Sequence, residues 1–470
     1  MGKVVEKELE HLPLSDKIDY DSAPTLDEAI YQQRIQSLLK MALSQGYTHL
    51  IIYGDREHYS NIHFLTGFDP RFEEALLILS GEQEPTIVVG NEGLDYSAII
   101  PFEIQKVLFQ SFSLVGQPRG QSKSLDEIFR DAGIKKNSKI GIIGWKYFSP
   151  IERTDPSQTF EVPHYIIQEL SNIVGWENVR NTSDFMIHPD YGLRISLDVE
   201  ELIFHEISGT KTSQRVLQTI KNLRVGESEI EASRHLAIDG DPLSVHPNVN
   251  FGLENVLPGL KSPTYKKKLE LGEVVTVGMG YRYALVARTG LFVRNKEEIP
   301  LTMEGIVENF YIPYFNALCS WYESLHLGVT GNEVFQAVRD SIGDLKKFGI
   351  GLNPGHLIHT EEWTNSIFFE GSPHKVKSGM ALQGDIIAFP GEPYGGVHVE
   401  DGVFIADEAT REAIRVQYPD SWKRIEKRRQ FMKDVLGINI VDEVMPTSDI
   451  QAMLFPYMGN TGILLAKDFK

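Results

Sequence analysis

Residues 272–292 read GEVVTVGMGYRYALVARTGLF, and this stretch decides how the second half of the chain is interpreted. Its β-branched and apolar residues predict two strands, at 273–278 and 282–293, joined as a hairpin. No aspartate or glutamate occurs between Glu273 and Glu297. A pair of hard divalent cations needs a bridging carboxylate, and apolar side chains offer no ligand atom. The hairpin therefore cannot supply ligands to a metal pair.

The composition is that of an ordinary globular protein, with 41% hydrophobic and 24% charged residues in 470. This length predicts two domains. The formal net charge of -19 opposes binding to a phosphate backbone, so we expect no nucleic-acid partner. The single cysteine, Cys319, excludes an internal disulfide and a cysteine-based zinc cluster.

Nothing in the sequence predicts a membrane protein. The first residues, MGKVVEKELEHLP, are charged and lack the apolar segment of a secretory signal. No run of about 18 apolar residues occurs along the chain. We therefore expect a cytoplasmic protein without a membrane partner.

The first part of the chain alternates predicted helices and strands. Residues 27–45 have apolar side chains at helical spacing, and THLIIYG at 48–54 follows as a buried strand. Residues 55–80 predict a turn and further strands. This alternation indicates an α/β domain, and HPDYG at 188–192 interrupts it.

The second part begins with a long predicted helix for which Asp198 is a suitable N-cap. Helices and strands then alternate, with helices predicted at 227–238, 302–326 and 332–345 and strands at 273–278, 282–293, 385–389 and 397–405. SWKRIEKRRQFMKDVLGI predicts an amphipathic helix. The tail that ends in GILLAKDFK has no predicted place.

Several phrases resemble one family of metallopeptidases. NIHFLTGF at 61–68 is similar to the NIxYLTGF phrase in the N-terminal domain of aminopeptidase P and creatinase. The 272–292 hairpin resembles the central hairpin of the family that also contains methionine aminopeptidase and prolidase. The phrases PGH, SGMALQGD and GVHVED keep the spacing of that family. The resemblance covers roughly residues 45–410.

This resemblance implies an α/β (α+β) fold. The expected domains are a creatinase-like α/β N-terminal domain at 1–187 and a pita-bread domain with a C-terminal extension at 188–470. It also implies a homodimer.

The family holds two metal ions with five ligands, and the resemblance assigns only three of them here. The two hairpin aspartates fall on Gly278 and Leu285, in a hairpin about four residues shorter than the family pattern. The remaining ligands fall on His356, Asp385 and Glu400. We therefore expect no metal pair and no cofactor, and the alternative is a single ion on those three residues.

The candidate proton-handling residues lie on the strand that reads GVHVED. His398 stands two residues before Glu400, so both side chains point to the same face of that strand. An imidazole beside a carboxylate can transfer protons near neutral pH, although a packing role for His398 is the alternative. The candidate catalytic residues are His356, Asp385, His398 and Glu400.

The candidate ligand-binding residues surround the lost metal ligands. Two arginines in the hairpin could restore positive charge or bind a carboxylate ligand. The alternatives are that Arg288 pairs with a buried carboxylate and that Arg282 is exposed to solvent. Trp363 occupies the position of a second family histidine. The candidate ligand-binding residues are Arg282, Arg288, His359 and Trp363.

Three functions remain open on this sequence. The first is metal-independent acid–base chemistry of a hydrolase, lyase or isomerase type on a small polar metabolite or peptide-like ligand. The second is a non-catalytic protein that binds such a ligand. The third is a single-metal hydrolase of the Xaa-Pro aminopeptidase type. A shared fold decides none of these, because chemistry resides in the site.

Overall fold

The computed structural model describes residues 2–16, 18–257 and 259–468, which form two compact units. One unit is Thr25–Ile195, and the other combines Met1–Pro24 with Ser196–Lys470. The expected domains were 1–187 and 188–470. The observed division therefore differs in placing the boundary at 195/196 and the first 24 residues with the C-terminal unit.

The first strand, β1 (Lys3–Glu8), explains where the N-terminal residues belong. It pairs antiparallel with β15 (Ile463–Asp468), with Val5 opposite Ala466. The tail without a predicted place thus forms a two-stranded sheet with the other end of the chain. This pairing fixes both ends of the chain to the C-terminal unit.

The N-terminal unit is an α/β domain built on a six-stranded sheet of order β5-β4-β3-β2-β6-β7. Its helices are α1 (Glu28–Ser44), α2 (Ser60–Thr66), α3 (Asn91–Tyr96), α4 (Leu125–Asp131), α5 (His164–Val174) and α6 (Asp184–Ile187). Its strands are β2 (His49–Gly54), β3 (Ala75–Ser80), β4 (Thr86–Val89), β5 (Gln105–Leu108), β6 (Ile140–Ile143) and β7 (Val179–Asn181).

Strand β2 is buried on both faces, as its continuous apolar sequence predicts. Leu50 packs with Ile35 and Leu38 of α1 on one face, whereas Ile51 packs with the cluster that contains α4 and α5 on the other. The sequence predicts a turn and strands at 55–80, but the first part of this passage contains a helix. Residues 60–66 form α2, which ends at Gly67 with a φ of 73°.

The C-terminal unit contains the longest helix and the larger sheet. Its helices are α7 (Val199–Asn222), α8 (Glu229–Ala232), α9 (Leu253–Val256), α10 (Ile312–Ser324), α11 (Gly331–Ile342), α12 (Glu408–Gln417) and α13 (Pro419–Phe431). Its remaining strands are β8 (Leu243–Phe251), β9 (Val274–Tyr281), β10 (Val286–Leu291), β11 (His356–Leu357), β12 (Ala381–Gly391), β13 (Gly395–Ile405) and β14 (Val444–Pro446). Helix α7 begins directly after Asp198, as predicted.

The larger sheet is antiparallel, with the order β11-β12-β13-β10-β9-β8 and β14 paired to β13. The face that carries Gly384 packs against α10, because a side chain at Gly384 would lie 3.0 Å from Trp321. The next residue, Asp385, therefore points to the opposite face.

Within the described part of the chain, no helix has the length and apolar character needed to cross a membrane.

Candidate functional site

One row of paired residues crosses the larger sheet and defines the site. Asp385 on β12 lies opposite Glu400 on β13, and Glu400 lies opposite Ala287 on β10. Ala287 in turn lies opposite Gly278 on β9. Directly opposed residues in antiparallel strands point to the same face, so these four positions form one continuous floor. Two carboxylates stand at one end of it, and the other end has no side chain longer than a methyl group.

The row also shows which hairpin residues lie beside Glu400 on this face of the sheet. Ala287 lies in the row between Gly278 and Glu400, whereas Leu285, to which the resemblance assigned the second hairpin ligand, does not. Leu285 precedes β10 and packs in an apolar cluster that contains Ile203.

His398 completes the carboxylate end of the floor. Its Nε2 donates to Asp385 Oδ1 at 2.7 Å and lies 3.5 Å from Glu400 Oε2. All three side chains are buried, with Glu400 only 3% exposed. The i, i+2 spacing of His398 and Glu400 therefore places both side chains on one face, as the sequence predicts.

His356 approaches the same carboxylates from β11, where it pairs with Gln383 of β12. Its Nε2 lies 3.6 Å from Glu400 Oε1 and 3.9 Å from Asp385 Oδ2. Its Nδ1 donates to the carbonyl oxygen of Leu357 at 3.1 Å, which fixes the ring. The four candidate catalytic residues thus converge from three strands.

Glu362 is a member of this cluster that the sequence did not reveal. Its Oε1 lies 3.1 Å from His356 Nε2. The neighbouring Trp363 stacks on the His356 ring, with centroids 4.2 Å apart and an interplanar angle of 18°. The phrase HTEEW contained both residues, but the direction of an acidic side chain in a loop cannot be read from spacing.

Burial and the neighbouring charges shift the ionisation of this cluster. Burial lowers the pKa of His356, but Glu362 and Glu400 outweigh it and raise the pKa to about 10. Burial likewise lowers the pKa of His398, and Asp385 reverses the effect, so the pKa is raised overall. Burial and the charge of Asp385 raise the pKa of Glu400 to about 7. Glu400 therefore changes protonation near neutral pH, while His356 stays cationic.

Arg288 lies outside this cluster. It alternates with Ala287 and so points to the opposite face, where it is 1% exposed. Its guanidinium donates to Asp401 Oδ2 at 2.7 Å and to the carbonyl oxygens of Met453, Ile450, Ala287 and Glu400. This geometry supports the alternative that Arg288 pairs with a buried carboxylate, and the cationic groups near Asp385 and Glu400 are histidines instead.

The other two candidate ligand-binding residues occupy different surroundings. Arg282 is partly buried in the turn between β9 and β10, and its backbone N–H donates to the carbonyl oxygen of Pro242 at 3.0 Å. His359 is buried, and its Nε2 donates to Glu201 Oε1 of α7 at 3.0 Å. A second buried histidine, His205, lies beside it with ring centroids 6.3 Å apart. These contacts place Arg282 beside the start of β8 and His359 against α7.

The residues present do not fit a metal pair, because Gly278 and Ala287, which continue the row beside Glu400, offer no ligand atom. They do fit a single ion. Two groups of histidine and carboxylate side chains each place three ligand atoms within 4.8 Å of one another. The first group is His356, Glu362 and Glu400, and the second is Asp385, His398 and Glu400. Three protein ligands of these types are sufficient for one catalytic ion.

Comparisons with known proteins identify the fold. No protein-family model matches the sequence, and no curated protein matches it. The chain is similar to the solved structure of an Xaa-Pro dipeptidase from Bacillus anthracis, with 18% sequence identity and a TM-score of 0.61 over 80% of this chain and 96% of that chain. It is similar to a prolidase from Thermococcus sibiricus, with 19% identity and a TM-score of 0.63 over 82% of this chain and 96% of that chain. It is also similar to a putative aminopeptidase P from Bacillus anthracis, with 12% identity and a TM-score of 0.55 over 86% of this chain and 99% of that chain.

These similarities extend over both units of the chain and over nearly the full length of each solved structure. The expected architecture, an N-terminal α/β domain followed by a pita-bread domain, is therefore confirmed. At such low sequence identity the similarity establishes the fold alone, because the chemistry depends on the residues of the site.

Proposed function

We propose that this chain, which has the fold of the Xaa-Pro dipeptidases, carries out metal-independent acid–base chemistry on a small polar or peptide-like molecule. The observation that supports this most directly is the environment of Glu400. It is a buried carboxyl group between two imidazoles, with a pKa raised to about 7. A general acid or base works best when its pKa lies near the operating pH.

The neighbouring side chains have separate roles in this proposal. Glu400 holds the proton that is delivered to, or taken from, the reacting group. His398 is held by Asp385, to which its Nε2 donates, and it lies beside Glu400. His356 stays cationic beside Glu362 and stabilises the ionised form of Glu400. The reaction is of a hydrolase, lyase or isomerase type.

The floor of the sheet suggests where the substrate lies. Gly278 and Ala287 have no side chain that extends beyond a methyl group, and Ala287 lies opposite Glu400. A substrate can therefore cover these two positions while one of its polar atoms contacts Glu400. Trp363, which is 42% exposed, supplies an aromatic surface at the His356 side of the cluster.

Two alternatives have observations in their favour. A binding protein without catalysis is consistent with the internal pairing of His356 with Glu362 and of His398 with Asp385. A single-metal hydrolase is consistent with the two three-residue groups. A bound ion would supply Lewis acidity, but a protonated imidazole offers no lone pair for it.

A ligand screen followed by a turnover assay tests the proposal. The panel contains dipeptides, dipeptide amides and amidines, and the readouts are the melting temperature and product formation with and without EDTA. We expect at least one compound to stabilise the wild type but not Glu400→Gln, and its turnover to resist EDTA. Turnover that EDTA abolishes and Mn²⁺ restores would support the single-metal alternative. Equal stabilisation of both proteins would place the ligand elsewhere.

We further propose that the chain forms a homodimer, as the resemblance of its sequence implies. Equilibrium sedimentation tests this against the monomer mass of 53.1 kDa. A cytoplasmic location stays a prediction from the sequence.

A further inference from the structure

Four polar side chains continue the floor of the site away from Glu400. Asn250 on β8 lies opposite Thr276 on β9, Thr276 lies opposite Thr289 on β10, and Thr289 lies opposite His398. Asn248 lies opposite Gly278 in the adjoining row. Because opposed residues share a face, these four side chains point to the same side of the sheet as the acid–base cluster.

Asn250 is the residue in this group that calls for an explanation. It is 1% exposed, and neither its Oδ1 nor its Nδ2 has a hydrogen-bond partner among the residues that the structure describes. The Oδ1 of Asn248 is likewise buried without a partner in the described chain. Buried side-chain amides are ordinarily hydrogen-bonded, since an unpaired polar atom in the interior is costly. These unpaired atoms therefore indicate a polar group that binds between the asparagines.

The two threonines show what kind of group fits. Thr276 Oγ1 and Thr289 Oγ1 are hydrogen-bonded to each other at 2.8 Å, so this part of the floor is polar but uncharged. The arginine nearest in sequence, Arg288, points to the opposite face. Asparagine amides both donate and accept hydrogen bonds, as a carboxamide does. A neutral carboxamide therefore matches this surface better than a carboxylate.

We infer that Asn248 and Asn250, with Thr276 and Thr289, form a subsite for the uncharged carboxamide end of an elongated ligand whose amine end lies at Asp385 and Glu400. This inference rests on the proposed function, because it places the amine at the acid–base cluster. Glu400 Oε1 is buried and has no hydrogen-bond partner in the described chain, so it can accept a hydrogen bond from an amine.

The separation of the two ends sets the ligand size. Neighbouring strands are about 4.8 Å apart, and three such steps separate β13 from β8, giving about 14 Å between the backbones at Glu400 and Asn248. A hydrogen bond of about 2.9 Å at each end leaves about 8 Å for the ligand itself. An extended peptide spans about 3.5 Å per residue, so a dipeptide amide matches the remaining space. Between the two ends, Gly278 and Ala287 carry no side chain longer than a methyl group.

Calorimetric titration with glycylglycinamide and glycylglycine tests the inference. The two peptides share the amine end and differ in having a carboxamide or a carboxylate. For the wild type we expect glycylglycinamide to bind about tenfold more tightly than glycylglycine. In Asn250→Val this preference should disappear. Glu400→Gln should weaken the binding of both peptides but keep the preference.

Each outcome separates this inference from the proposed function. Equal binding of the two peptides by the wild type, tighter binding of glycylglycine, or no saturable binding of glycylglycinamide at millimolar concentration would overturn the subsite. If Glu400→Gln binds both peptides as the wild type does while Asn250→Val loses the preference, the subsite stands and the role of Glu400 is wrong.

The melting temperature of unliganded Asn250→Val supplies a second readout. Valine suits a buried strand position and removes the two unpaired polar atoms. We expect the variant to melt at the same temperature as the wild type or higher, which is typical of a residue whose polar atoms serve a ligand. A clearly lower melting temperature would show that Asn250 serves the fold and would overturn the inference.

Discussion

Ala287 lies directly opposite Glu400 across β10 and β13. This pairing places a methyl group next to a buried carboxyl group whose pKa is raised to about 7. A carboxylate at position 287 would stand within reach of Glu400 and create the bridging arrangement that a metal pair requires. The alanine at this position therefore leaves two carboxylates, Asp385 and Glu400, in this row.

Ala287→Asp should convert the site toward metal binding. We expect the affinity for Mn²⁺ to rise by about tenfold or more, because the added carboxylate supplies both a ligand and negative charge. Ala287→Asn is the matched control, since it has nearly the same shape without the charge. Calorimetric titration with Mn²⁺ measures both variants. An unchanged affinity in Ala287→Asp would show that position 287 does not face the cluster.

Glu400→Gln should remove activity toward any substrate that the ligand screen identifies. A correctly placed general acid or base contributes about 100-fold or more, so kcat should fall by at least this factor. Glu392→Gln, an exposed residue in the turn between β12 and β13, is the control and should keep wild-type rates. In the wild type the pH–rate profile should show an inflection near pH 7, as expected from the pKa of Glu400. An inflection that persists in Glu400→Gln would assign it to another group.

The stability of the protein should fall in alkaline solution because of His356. Its pKa in the folded protein is about 10, above the ordinary value of 6.5. The folded state therefore keeps a proton that the unfolded state releases, so this contribution is complete below pH 6.5 and is lost as the pH rises through 10. Urea unfolding at about pH 7, 8 and 9 should show a steeper loss for the wild type than for His356→Gln. Parallel losses would mean that His356 is not cationic in the folded protein.

His205 should make the protein sensitive to acid. Burial, reinforced by His359, lowers the pKa of His205 to about 3. Below pH 6.5 the unfolded chain binds a proton at this histidine, whereas the folded protein does not. Stability is therefore lost as the pH falls from 6.5 toward 3. Unfolding between about pH 7 and 4 should be less pH-dependent in His205→Asn than in the wild type. The exposed His164, changed to asparagine, is the control and should leave the slope as it is.

Local patterns predicted much of the fold. The strands expected at 273–278 and 282–293 correspond to β9 and β10, and the helix start after Asp198 was correct. The pairing of β1 with β15 could not be predicted, because its partners lie at opposite ends of the chain and neither strand has a distinctive turn beside it. Such pairing depends on tertiary packing rather than on local sequence.

The site was predictable where strand alternation applies. The spacing of His398 and Glu400 placed both on one face, and the same rule places Arg288 on the opposite face from Ala287. Glu362 was missed because its position depends on the path of a loop around His356. The unpaired amide of Asn250 was invisible in the sequence for a related reason, since burial without a partner is a property of the packed structure.

Metal analysis by mass spectrometry decides whether the chemistry of this site is independent of metal ions. The protein is purified without chelators, incubated with Mn²⁺, Zn²⁺, Co²⁺ or Fe²⁺, and freed of loosely bound ions before measurement. We expect far less than one ion per chain for every metal, together with negligible cleavage of Xaa-Pro dipeptides. Two ions per chain, accompanied by chelator-sensitive cleavage of an Xaa-Pro dipeptide, would contradict metal-independent chemistry.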